Sequence, residues 1–86
     1  MTWRETREYL SKINDLLPWL DDAVIIGAKI DDFDRIPQIH LRSSDFDPFV
    51  QKIGMVPTVD AETNEYKHEG VTFMNVHVIC CKFKEQ

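Results

Sequence analysis

Residues Tyr66 to Phe83, YKHEGVTFMNVHVICCKF, constrain this chain more than any other stretch. They form its longest β-rich run, and β-branched and aromatic residues of this kind fit a pleated, half-buried surface. The Glu69-Gly70 pair reads as a turn near its start. Beyond that turn, Val71 to Phe83 is too apolar to meet water on both sides, so it is expected to be the innermost strand of a small sheet. It contains a phase problem. Val71 and Phe73 share one face, whereas Met74, Val76, Val78 and Cys80 share the other. A bulge near Met74-Asn75 would bring both sets to one face.

The rest of the chain supplies material to cover such a sheet. Thr2-Trp3-Arg4-Glu5 is a capping box. After it, Leu10, Ile13, Leu17 and Leu20 recur at helical spacing, with Tyr9 and Leu16 widening the stripe. Pro18 predicts the end or a kink of that helix. Ala23 to Ile30 and Ile36 to Arg42 read as strands, joined by a turn at Asp31-Asp32-Phe33-Asp34. Pro37 belongs at an edge or a strand start. A second helix begins within Ser43 to Pro48, with Ser44 or Asp47 as its cap, and carries Phe46, Phe49, Val50 and Ile53 inward. Gly54 ends it in the left-handed conformation. Residues 55–64 read as connection, and Glu65 to His68 as a short third strand.

The expected fold is therefore α+β: a single domain over residues 1–86, two layers in αββαββ order. A four-stranded, mainly antiparallel sheet would carry two helices on one face. Strand order 1-2-4-3 keeps every neighbouring pair antiparallel. At 86 residues the core is small, and stability of roughly 4–10 kcal/mol is expected.

The stretch from Ile39 to Phe73 combines IHL, a phenylalanine-rich short helix, a tyrosine and histidine, and GVTF. In this it resembles small accessory proteins carried by phages and prophages of Gram-positive bacteria. The resemblance implies an accessory protein of a mobile element. It implies no activity and places no functional residue on this chain.

Charge narrows function. Fifteen acids against ten bases give a net charge of −5, so direct nucleic-acid binding, which requires a basic footprint, is not expected. The longest apolar run, Ala23 to Ala28, falls far short of the ~20 residues of a membrane span, and the first residues lack the pattern of a secretory signal. Adjacent Cys80 and Cys81 do not bridge each other without strain. Reduced thiols in a cytoplasmic protein, the host cytoplasm for a phage-encoded one, are the expectation.

Seven of the nine aspartates fall between Asp21 and Asp47. Antiparallel pairing of the first two strands would place Asp21, Asp22, Asp45 and Asp47 at one rim. Aspartates favour turns and helix starts for local reasons, but four at one rim also fit a basic protein partner. A divalent cation is the weaker alternative, because no EF-hand spacing is present. His40, His68 and His77 lie on predicted strands without a zinc-ligand spacing. His77 and Cys80 are separated by three residues and should face opposite ways. No nucleophile elbow, phosphate loop or dinucleotide turn appears. Trp3, Trp19, Phe33 and Phe83 stand near element ends, where exposed aromatics mark protein contacts.

The chain thus reads as a non-catalytic interaction protein without cofactor or metal. It would engage a protein partner through Asp21, Asp22, Asp45, Asp47, Trp3 and Trp19, the partner being a basic one such as a nucleic-acid-binding host protein. A self-assembling protein, a homodimer through an open edge or the polar sheet face, is the alternative. A small enzyme or metal protein using the acidic rim ranks third.

Overall fold

The computed structural model describes residues 2–30 and 36–84. The expected Asp31–Asp34 turn and Phe33 lie outside these residues. Helix α1 spans Trp3–Leu16, and a 3-10 turn, Leu17–Trp19, extends it. The Glu5 amide donates to Thr2 Oγ1 at 3.3 Å, and the Thr2 hydroxyl donates to Glu5 Oε1 at 3.1 Å. Strands β1 (Ile25–Lys29) and β2 (Gln38–Leu41) form an antiparallel pair. Helix α2 (Ser43–Ile53) starts without a side-chain cap, so neither Ser44 nor Asp47 plays that part. Gly54 ends it at φ 70°, as expected. Strands β3 (Thr58–Glu62), β4 (Tyr66–Phe73) and β5 (Val76–Phe83) complete the chain.

The α+β class holds, but the sheet is mixed and has five strands in the order β1-β2-β5-β4-β3. Part of the difference has a local cause. Met74 and Asn75 both take left-handed conformations, at φ 51° and 60°. Two such residues form the tight hairpin turn whose twist matches the flanking strands. The expected bulge is therefore a chain reversal. It brings Val71 opposite Val78 and Phe73 opposite Val76, all on one face.

Glu69-Gly70, expected to turn, lies inside β4, where Gly70 pairs with Ile79 and Thr58. Residues 58–62, expected to be connection, supply the extra edge strand. The additional reversal also flips the last strand, so β2 and β5 run parallel. The all-antiparallel order 1-2-4-3 is replaced for that reason.

One cluster holds the molecule together. Leu16 and Leu20 from the first helical segment and Phe46, Phe49 and Val50 from α2 pack on Ile39, Leu41, Val71, Val76, Val78 and Cys80. At the far end of the same face, Glu69 is only 5% exposed. Lys82 reaches it at 3.1 Å and Lys67 at 3.3 Å, and Lys82 also binds Asp47 at 2.7 Å. Burial works to lower the pKa of Lys82, but hydrogen bonds to Asp47 and Glu69 outweigh it and raise the value. This ion cluster fastens α2 to the central hairpin.

Both edge strands are irregular. β1 has a register shift between Ile25 and Gly27, and β3 has one between Val59 and Ala61. Lys29 stands on the first edge, Asp60 and Glu62 on the second. Bulges and charges of this kind hinder edge-to-edge pairing.

Candidate functional site

The structure assembles part of the expected acidic rim. Trp19, Asp21, Asp22 and Asp45 line one hollow with Leu20, Ala23, Pro48, Phe49 and Lys52. Three elements place these groups: the turn after α1, the approach to β1 and the first turns of α2. Asp45 Oδ2 accepts the Val24 amide at 2.9 Å and Arg42 Nε at 3.1 Å. The Val24 amide foremost, with Arg42 behind it, holds the Asp45 carboxyl below its ordinary value despite some opposing burial. Asp21, itself at φ 51°, meets Lys52 Nζ at 2.7 Å. Two of these carboxylates are thus engaged in holding the connection to α2.

Asp22 is exposed and has no ion-pair partner among the described residues. Beside it, Trp19 is 39% exposed and packs edge-on against Phe73, with ring centroids 5.3 Å apart. An aromatic wall next to an uncompensated carboxylate suits a guanidinium or ammonium group.

The other two predicted residues lie elsewhere. Asp47 belongs to the Lys82–Glu69 cluster. Trp3 is 68% exposed at the start of α1, with Arg4 over its ring at 5.6 Å.

A second feature lies on the sheet face away from the core. The register aligns Gly27, His40, Ile79, Gly70 and Thr58 in one row across all five strands. The next row contains Lys29, Gln38, His77 and Thr72. All three histidines face this side. Thr72 Oγ1 lies 3.1 Å from His77 Nδ1, and Asp60 Oδ2 lies 3.3 Å from His77 Nε2. Thr58 Oγ1 donates to Asp60 Oδ1 at 3.2 Å. Tyr66 and His68 meet edge to face at 5.0 Å. His40 Nε2 is enclosed without a hydrogen-bond partner among the described residues.

This Thr72–His77–Asp60 line was not found by spacing, because its members come from three strands. An isolated glycine within a strand, Gly70, was its available signal, since such a glycine marks a close approach. The line has the connectivity of a nucleophile, a base and an orienting acid. It stands, however, on an open surface beside a hollow lined by Ile36, Gln38, Thr72 and His77. Acyl transfer depends on preorganised donors in a water-excluding site, whereas the His77 and Asp60 side chains here are 30% and 41% exposed.

Cys80 is buried in the core, and burial foremost pushes its thiol up to about 11. His77 faces the opposite side, as the strand parity required. Among the described residues, no three His, Cys, Asp or Glu side chains converge to hold a metal. None of the described helices is long and apolar enough to cross a membrane. Comparison with protein-family models, curated proteins and solved structures returned no match.

Proposed function

We propose that this chain is a small, acidic, non-catalytic interaction protein whose hollow at Trp19, Asp21, Asp22 and Asp45 takes a basic side chain of a protein partner. The observation that carries this reading is Asp22, without an ion-pair partner among the described residues, beside the half-exposed Trp19. A net charge of −5 favours encounter with basic surfaces. A nucleic-acid-binding protein is a suitable partner, because carboxylates can occupy a groove shaped for phosphates. Modulating such a protein in the host cytoplasm would be a fitting task for an accessory protein of a phage or other mobile element.

Titration of the ¹⁵N-labelled protein with an arginine-rich peptide tests the proposal. Shifts should centre on the Trp19 indole N–H and the Asp22 amide, and should fade as salt is raised. Asp22→Asn should weaken binding about tenfold, within the range for a charged contact at a partly desolvated site. Shifts centred elsewhere, or an unchanged affinity in the Asp22→Asn variant, would remove this reading.

A further inference from the structure

We infer that the open sheet face is the contact surface of a face-to-face homodimer whose two-fold axis runs along β5. Four observations point there.

The first is position. β5 is the central strand of five, so an axis along it lays one sheet over the other with β5 on β5. Strand directions then stay aligned, as in one of the two ordinary classes of sheet packing.

The second is charge. On this chain of net charge −5, the rows of the open face carry Lys29 at one edge and Asp60 at the other. The remaining strand carboxylates, Glu62 and Glu69, pair with Lys84, Lys67 and Lys82 on the opposite face. Rotation about β5 sets β1 over β3 of the second copy. Lys29 lies in the His77 row, and the Asp60 carboxylate reaches back over Gly70 to His77 from between the levels of Cys80 and Cys81, so each lysine comes within a side chain's length of the aspartate of the partner subunit, twice over. An axis perpendicular to the strands would set lysine on lysine.

The third is area. Strands of five, four, eight, eight and five residues, at about 3.3 Å per residue and about 4.8 Å apart, give a footprint of roughly 480 Å² per copy. Two such faces remove about 950 Å² as flat surfaces and more once corrugated, which meets the ~1,000 Å² expected of a specific but weak interface.

The fourth is composition. Ile79 and Cys81 are half-buried on a face without helices, and Phe83 is 80% exposed. These three residues lie on the axis, where each meets its own symmetry mate. The bulged, charged edges disfavour the competing edge-to-edge assembly.

Sedimentation and cross-linking of the intact protein test this. Mass should double with rising concentration in the micromolar-to-millimolar range. A short bis-maleimide should join two copies through Cys81, and Cys81→Ser should abolish the product, since Cys80 is enclosed in the core. Ile79→Glu should raise the dissociation constant at least about tenfold, as for loss of a central interface anchor, with circular dichroism unchanged. Lys29→Glu and Asp60→Lys should each weaken the dimer, and the two together should restore it. A monomer at millimolar concentration would overturn the inference. So would a dimer that Ile79→Glu leaves intact, one lost instead on Leu10→Glu in α1, or a charge swap without rescue.

Discussion

The Asp60 carboxylate and the His77 imidazole meet at 3.3 Å, Oδ2 to Nε2, above a strand position that has no side chain, Gly70. A Cβ at that position would lie 2.8 Å from Asp60 Oδ2 and 3.1 and 3.2 Å from the His77 ring atoms Cε1 and Nε2. The glycine makes the bridge possible.

Gly70→Ala should therefore break the bridge and leave the fold in place, because the colliding carboxylate is the end of a rotatable side chain. The expected cost is about 1 kcal/mol, that of one hydrogen bond. Asp60→Ala should cost a similar amount. Urea denaturation of the double variant should show little further loss, since both changes remove the same contact.

Lys82→Met leaves the buried Glu69 with Lys67 alone. Breaking a buried pair from one side is costly, and about 2–3 kcal/mol is expected with Lys67 still in place. Glu69→Leu combined with Lys82→Met should recover most of the loss. Because the folded-state pKa of Lys82 is raised, its contribution is complete below the unfolded value, near 10.4. It should drain away as pH rises through the folded value. Melting curves of the wild type and Lys82→Met should converge at the alkaline end.

The Met74-Asn75 turn uses left-handed backbone without glycine. Met74→Asn with Asn75→Gly supplies the residues this hairpin prefers. A gain of about 0.5–1 kcal/mol is expected, read from the urea midpoint.

Asp45 should govern part of the acid limb of stability. Its folded pKa lies below the unfolded value, so its contribution is present above that value and lost as pH falls through the folded one. Asp45→Asn should melt lower than wild type at pH 7. The gap should narrow steadily on acidification below about pH 4, the ordinary carboxylate range.

The two thiols should react separately. Cys80 has its pKa raised to about 11 and no exposed surface, whereas Cys81 is half-buried on the open face. At pH 8, a maleimide should label one thiol per native chain, with Cys80 modified only on unfolding. Peptide mapping identifies the site.

The helices were legible because their signals are local. The Thr2–Glu5 box and the Gly54 end each sit within a few residues of what they specify; the α1 stripe was placed about one residue off, since Tyr9, Leu16 and Leu20 are buried while Leu10 and Leu17 are exposed. The final hairpin was half legible. The phase change at Met74-Asn75 is visible in sequence, but a bulge and a reversal produce the same change of face, and glycine, the usual mark of such a turn, is absent. Residues 58–62, Thr-Val-Asp-Ala-Glu, do alternate, but the run is short and lies between Pro57 and Thr63-Asn64, so the flanking turn residues outweighed it. The acidic rim was found at Asp21, Asp22 and Asp45, because β1 and β2 were read as antiparallel neighbours. Asp47 was misplaced because its side of α2 depends on where that helix starts.

By itself the sequence determined the α+β class, both helices, much of the apolar core and the acidic balance, since each depends on composition or on spacing within one element. Tertiary structure alone decided the five-stranded order, the parallel β2–β5 contact and the Thr72–His77–Asp60 line. Those features depend on strand register and on one chain reversal. A single reversal changes which distant residues become neighbours while leaving every local pattern as it was.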